Sequence, residues 1–178
     1  MYSTTFNTAL GEFALVWTDR GVRRVFLPGN EAIALDMRLA KIGAERAEPT
    51  RAISAVLDKI EDYAEGESVD FSETALDLDG VPEFHRRCYD ILLTIGRGQT
   101  TTYGAMARQL GDVGLSRAVG QAMGANPIPL VIPCHRVLAA NGGAGGFSAP
   151  GGTATKRVML ALEGVSMGAP AGQMQFAF

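Results

Sequence analysis

The tripeptide Gly80-Val81-Pro82 splits the sequence into two parts that cannot share one architecture. Glycine and proline so close together end any regular element. Before the break, strand-like and helix-like stretches alternate; after it, the apolar spacing is mostly helical. The charge changes at the same place. Up to Val81 there are 8 Lys+Arg against 15 Asp+Glu, a net −7; from Pro82 onward there are 8 against 4, a net +4. The break therefore predicts two domains, 1–81 and 82–178, in an α+β fold. The first is a small sheet-plus-helix domain of structural role. The second is mainly helical. Its positive balance hints at a polyanionic partner.

In the first part, FALVWT (Phe13–Thr18) and VRRVFL (Val22–Leu27) read as strands. They flank a three-residue hairpin loop, Asp19-Arg20-Gly21, with a glycine available for positive φ. Helical spacing follows over Asn30–Ile42. It recurs over Pro49–Tyr63, where Ile53, Val56, Leu57, Ile60 and Tyr63 form one stripe. Phe71–Leu78 is expected to hold another strand.

In the second part, Phe84, Cys88, Ile91, Leu92 and Ile95 make an amphipathic helix with Cys88 on its buried face and His85 on its exposed side. Thr102 can cap a short helix with Tyr103, Met106, Ala107 and Leu110 on its apolar side. Ser116 can cap a second, with Val119, Ala122 and Met123 on one face. The turn Gly111-Asp112-Val113-Gly114 between them gives the pair the look of a helix-turn-helix. Asn126-Pro127-Ile128-Pro129 stops the second helix. Asn141–Gly152, with six glycines, is a loop; Thr153–Glu163 is a last helix. The tail after Gly164 is expected to be poorly ordered.

Several classes are excluded on this reading. There is no apolar run of about 18 residues, so no membrane span is expected. The start, MYSTTFNTALGEF, lacks the basic and apolar regions of a secretory signal, and a cytoplasmic location is expected. Two cysteines and two histidines without ligand spacing argue against a disulfide framework and against a metal site.

The chemistry concentrates in VIPCHRV (Val131–Val137). Adjacent residues point to opposite faces of a strand, and lie about 100° apart on a helix, so Cys134 next to His135 is not by itself a dyad. Asn126-Pro127 followed by Pro133-Cys134-His135 instead builds a rigid, irregular crossing, closed by the basic Arg136. A cysteine held there beside an imidazole is a candidate thiolate. The imidazole would take the thiol proton directly or through one water, and would need a carboxylate to fix its tautomer. Glu163 is the best acid in the second part for that role.

These residues carry a family resemblance. The segment RAVGQAMGANPIPLVIPCHRVLAANG (Arg117–Gly142), with TTYGAMA (Thr101–Ala107) and KRVMLALEG (Lys156–Gly164), resembles the O6-alkylguanine-DNA alkyltransferases, which are built around a PCHRV signature. The likeness runs from about Phe84 to Gly164; the first 81 residues are similar to the family's variable N-terminal domain only in general pattern. It implies transfer of an alkyl group from O6 of guanine, or from O4 of thymine, to Cys134. The thioether formed cannot be cleaved, so the protein acts once, as a monomer, without cofactor or metal. His135 would be the base, Glu163 would orient it, Asn126 would brace the turn, and Tyr103 would donate a proton to the leaving guanine. The partner implied is double-stranded DNA with the target nucleotide flipped out. Arg117 would fill the gap, with Ser116, Thr102 and Arg136 as further DNA contacts. Met123, Phe147 and Ser148 would line the substrate pocket.

The departures lie in GFSAPGG (Gly146–Gly152). Phe147 replaces the family's usual Tyr, and Ala149-Pro150 looks like a two-residue insertion that reshapes the alkyl side of the pocket. Tyr89 and Cys88 read as repacking. Three other readings compete: a lesion-sensing relative that binds without transfer, a helix-turn-helix regulator, and a cysteine hydrolase. The first lacks the nucleophile that Cys134 supplies. The second needs a dimerisation helix, and the third a motif of its own.

Overall fold

GEFALVWT is apolar at nearly every position, which suits a strand covered on both faces. The computed structural model describes residues 1–29 and 32–166. Three antiparallel strands open it: β1 (Tyr2–Thr8), β2 (Gly11–Thr18) and β3 (Gly21–Phe26), with β2 central. A short β4 (Glu45–Arg46) adds parallel to β1, giving the order β3-β2-β1-β4. The two-residue period of β2 serves two cores. Phe13, Leu15 and Trp17 enter the main core. Ala14 and Val16 face the other way, with Phe26 and with Leu35 and Leu39 of α1 (Ala32–Lys41). The start expected for this helix, Asn30, lies outside the described residues.

Thr18 pairs with Gly21, so the hairpin loop is two residues, Asp19-Arg20, and Gly21 belongs to β3. Its φ is +134°, and a Cβ there would lie 2.2 Å from the Ala75 carbonyl oxygen. The approach is close because residues 75–77 cross β3. The Val22 amide donates to Ala75 O and the Asp77 amide to Val22 O, both at 2.8 Å. This is all that remains of the strand expected over Phe71–Leu78: a single bridge, Val22 to Leu76. Side-chain bonds compete with a ladder here. Asp70 accepts from the Ser72 amide and hydroxyl, and the buried Asp77 accepts from Thr18, Arg20 and Arg23.

Helix α2 (Arg51–Ala64) starts where Thr50 Oγ1 accepts from the Ile53 amide. It buries Ile53, Val56, Ile60 and Tyr63, as their spacing predicts, with Leu57 at the edge. Beyond the break come α3 (Glu83–Leu93), β5 (Thr101–Thr102), α4 (Tyr103–Gln109), α5 (Ser116–Gly124), β6 (Val137–Leu138) and α6 (Thr153–Leu162). Cys88, Tyr89 and Leu92 are buried on α3, and the Tyr89 hydroxyl donates to Ala122 O at 2.9 Å, tying α3 to α5. His85 is half-buried between the Phe84 and Tyr89 rings rather than fully exposed.

Thr102 caps α4 as expected, accepting from the Ala105 amide at 3.1 Å. Ser116 does not cap α5. A 3-10 turn, Val113–Leu115, precedes it, and Ser116 Oγ donates back to Val113 O; Asp112 caps that turn instead, through the Gly114 amide. The architecture is α+β. Its main apolar cluster runs across the Gly80-Val81-Pro82 break, joining β2, β3 and α2 to α3, α5 and residues 128–137. The Val25 amide also donates to Pro127 O at 3.0 Å. No helix among the described residues is long and apolar enough to cross a membrane. Most of the tail, from residue 167, lies outside the described residues.

Asp77 is the N-terminal part's one buried carboxylate among the described residues. Burial opposes its charge, but hydrogen bonds from Thr18, the Asp79 amide and Arg23, and the charge of Arg20, hold it down to about 2. Asp77→Ala is expected to lower stability by about 2 kcal/mol in urea unfolding. The carboxylate's share of stability is present above the ordinary pKa of about 4. It is lost as pH falls toward about 2. The variant's deficit should therefore shrink in acid.

Candidate active site

Three prolines between Asn126 and Cys134 rule out helix and ladder alike, so the chain there needs other hydrogen-bond partners. Asn126 supplies them. Its Nδ2 donates to Ile132 O at 2.8 Å, and its Oδ1 accepts from the Ile128 amide at 3.0 Å. Leu130, between them, is buried with φ at +77°, a left-handed position that costs a branched residue energy. Pro133 (φ −82°, ψ 63°) is the centre of an inverse γ-turn in which the Cys134 amide donates to Ile132 O at 2.8 Å. A 3-10 turn, Cys134–Arg136, follows and runs into β6. Because β6 pairs with β5, Thr102 against Leu138, Tyr103 at the start of α4 is set beside the turn.

On a 3-10 turn, neighbours diverge by about 120°. Cys134 accordingly lines a cleft, whereas His135 is fully buried behind it. Helix α6 lies against this back side. Lys156, Met159, Leu160 and Glu163 are spaced i, i+3, i+4, i+7, and all four are buried. Glu163 Oε1 sits 2.7 Å from His135 Nε2. Arg136 donates from Nε to Oε2 at 2.8 Å and from Nη2 to Oε1 at 2.9 Å, and Nη1 donates to Ile95 O. The Tyr63 hydroxyl, from α2, lies 3.2 Å from both Oε1 and Met159 O.

The protonation states follow from these contacts. Burial disfavours a charged Glu163, but the hydrogen bonds and charges of His135 and Arg136 hold it down to about 2. Burial lowers His135 more than Glu163 raises it, so the imidazole is neutral. A carboxylate can only accept, so Nε2 carries the proton. Nδ1 keeps its lone pair, buried with no hydrogen-bond partner among the described residues. The Cys134 thiol is pushed up by burial, while Asn126, the charge of Lys156 and nearby amides pull it down. Lys156 Nζ donates to Val137 O at 2.5 Å and lies 3.4 Å from Gly146 O. Burial lowers it to about 8, against the opposing pull of Cys134.

The cleft, of ≈ 660 Å³, brings together Tyr103, Ser116, Arg117, Met123, Cys134, Phe147 and Ser148. Arg117 is exposed at the start of α5. Ser148 Oγ donates to Gly124 O at 3.0 Å, and Tyr103 OH lies 3.4 Å from Gly146 O. A Cβ at Gly145 (φ +63°) would sit 3.1 Å from the Tyr103 ring. His135, Glu163 and Asn126 support the cleft from behind. Thr102 stands apart, its oxygen used as a cap. Arg136 needs correction: its side chain is 13% exposed and is spent on Glu163 and Ile95 O, so it faces the interior rather than a DNA backbone. No cluster of three or more His, Cys, Asp or Glu that could hold a metal occurs among the described residues.

Two contributors escape the sequence reading. Tyr63 counts there only as an apolar stripe member, although a buried tyrosine needs a partner for its hydroxyl. Lys156 shows itself only as a lysine on the apolar face of α6, a position where a charge must be compensated.

Residues 83–165 match the family model described as 6-O-methylguanine DNA methyltransferase, DNA binding domain. A methylated-DNA–protein-cysteine methyltransferase from Methanothermobacter thermautotrophicus is 37% identical, over 88% of this chain and 81% of its own. One of the same name from Mycobacterium tuberculosis is 37% identical, over 82% of this chain and 88% of its own. The crystal structure of Mycobacterium tuberculosis OGT in complex with DNA superposes with a TM-score of 0.76 at 31% identity, covering 92% of each chain.

Removing Glu163 leaves Arg136 and His135 buried and unmatched. Glu163→Ala is expected to cost about 3–5 kcal/mol in urea unfolding. Tyr63→Phe should cost only about 1 kcal/mol, since Arg136 and His135 still satisfy the carboxylate.

Proposed function

The chain belongs to the methylated-DNA–protein-cysteine methyltransferases, DNA-repair proteins that move an alkyl group from DNA onto a cysteine, and we propose that here the substrate is O6-alkylguanine and the acceptor Cys134 Sγ. The observation that carries this reading is the placement of Cys134 on the cleft, with His135 hydrogen-bonded to Glu163 directly behind it.

Glu163 holds the Nε2–H of His135, so Nδ1 takes the thiol proton, directly or through one water. The sulfur then donates its electron pair to the alkyl carbon, and the C–O6 bond breaks toward guanine. Guanine leaves more easily if it is protonated as it goes. Tyr103 suits that task. It lines the cleft with Cys134, and a phenol, protonated at neutral pH, has a proton to give to the base's ring nitrogen. Lys156 provides a positive charge near the sulfur. The product is a thioether with no group in the cleft able to cleave it. Each chain therefore acts once, and the reaction consumes only the thiol.

The target carbon is inaccessible in a stacked duplex, so the nucleotide must be flipped into the cleft. Helices α4 and α5, around the Asp112-capped turn, act as a helix-turn-helix, with α5 in the minor groove. Arg117 fills the gap left in the stack. The Ser116 hydroxyl and amide both donate to Val113 O, so in this reading Arg117 is the charged group this turn offers to DNA. Met123, Phe147 and Ser148 hold the base. Residues 82–178 form the DNA-binding and transfer domain, and 1–81 brace it.

Incubation with duplex DNA carrying O6-methylguanine should add one methyl group per chain, mapped by peptide mass to Cys134, without turnover. Cys134→Ser should abolish the shift. Tyr103→Phe should slow transfer by about 10²-fold with lesion binding retained. Lesion binding by the unaltered protein with no mass shift would move it to the sensing class.

A further inference from the structure

Cys134 borders a second cleft, of ≈ 310 Å³, on the side of the N-terminal sheet. It shares Met123, Cys134, Phe147 and Ser148 with the first cleft, but its outer wall is Arg24 of β3 and Arg38 of α1. Both guanidinium groups lie over one ring: their Cζ atoms are 5.7 Å and 4.4 Å from the Phe26 centroid. Burial, and then the charges of Arg38 and Arg23, work against the charge of Arg24. Neighbouring arginines in this half are neutralised: Arg20 by Asp77 and Asp79, Arg23 by Asp77, Arg46 by Asp36. Arg24 and Arg38 have no such carboxylate among the described residues. In a half-chain of net −7, two like charges are thus set side by side against a cleft that ends at the nucleophile.

Ala149 and Pro150, read from the sequence as an insertion, lie on this space, and Pro150 leans on the N-terminal half, where a Cβ on Gly29 would lie 3.0 Å from Pro150 Cβ.

We propose that Arg24 and Arg38 form a subsite for the anionic end of a charged O6-alkyl adduct, favouring transfer from carboxylate-bearing lesions such as O6-carboxymethylguanine relative to methyl. The proposal rests on the alkyl-transfer reading. In that reading the base occupies the cleft of Tyr103 and Arg117, and the attacked carbon lies between O6 and Sγ. Cys134 lines both clefts, so what the adduct carries beyond that carbon has the second cleft to extend into. A carboxylate there would repel the attacking thiolate, and two guanidinium groups offset that repulsion while offering paired donors of the right geometry. The step balances as for methyl. Sulfur bonds to the CH2 carbon, the C–O6 pair goes to guanine, which takes up one proton, and Cys134 ends as an S-carboxymethyl thioether with its carboxylate still charged.

The test is single-turnover transfer by the full chain from duplexes carrying O6-carboxymethylguanine or O6-methylguanine. In Arg24→Gln/Arg38→Gln the ratio of carboxymethyl to methyl rate should fall by about tenfold or more. Arg24→Lys/Arg38→Lys should restore part of it. Arg38→Gln alone, on an exposed helix position, should lower the ratio in the same direction if the double variant does not fold. An unchanged ratio overturns the proposal. So does an equal fall in both rates together with weaker binding of undamaged duplex, which would assign the arginines to DNA phosphates. Absence of methyl transfer by the unaltered protein would instead overturn the alkyl-transfer reading itself.

Discussion

The buried carboxylate of Glu163 is the point on which the rest of the site depends. A carboxylate without solvent is tolerable only if its lone pairs are matched. Here they are matched by His135, by the Nε and Nη2 donors of Arg136 and by the Tyr63 hydroxyl. Those donors come from different places. His135 and Arg136 belong to the turn, Tyr63 to α2, and Arg136 also reaches the end of the α3 segment at Ile95. One side chain at the end of α6 thus fixes the turn that carries Cys134, and joins it to the N-terminal half.

The same carboxylate suits the proposed proton transfer to a dry setting. At rest the thiol and the imidazole are both neutral, which is the cheaper state for buried groups. In the proposed mechanism, moving the proton would create two charges, each beside a partner: the thiolate near Lys156 and the imidazolium against Glu163. Without Lys156 or Glu163, the transfer would leave an uncompensated charge in the interior. That explains why α6 spends two buried positions, seven residues apart, on opposite charges.

Much of the frame was legible because periodicity and burial agree. The α2 stripe, the β2 strand and the Cys88 face of α3 all follow from apolar spacing. The Cys134 turn was legible through its prolines and Asn126, which leave only an irregular backbone. What could not be read depended on contacts distant in sequence. Phe71–Leu78 has strand-like residues, yet Asp77 turns inward to Thr18 and Arg23 and the ladder stops at one bridge. Ser116 has the chemistry of a cap, but Asp112 reaches the turn first. Arg136 looks like a surface cation beside a DNA-binding motif; Glu163, distant in sequence, claims it. Tyr63 and Lys156 hide inside apolar stripes because spacing alone cannot say what their polar ends touch.

The break at Gly80-Val81-Pro82 separates compositions, but it does not separate cores. Val25 donates to Pro127, the main apolar cluster spans both sides, and Pro150 rests against the first half at Gly29. The N-terminal half therefore meets the site from two directions. Through Tyr63 it reaches Glu163 at the back. Through Arg24 and Arg38 it lines the second cleft, which under the proposal above takes the far end of a long adduct. Bracing the other half does not by itself call for two arginines stacked on one phenylalanine with no carboxylate partner among the described residues. Their charges oppose one another, and under the proposed binding that repulsion is relieved when an anion enters the cleft beside Cys134.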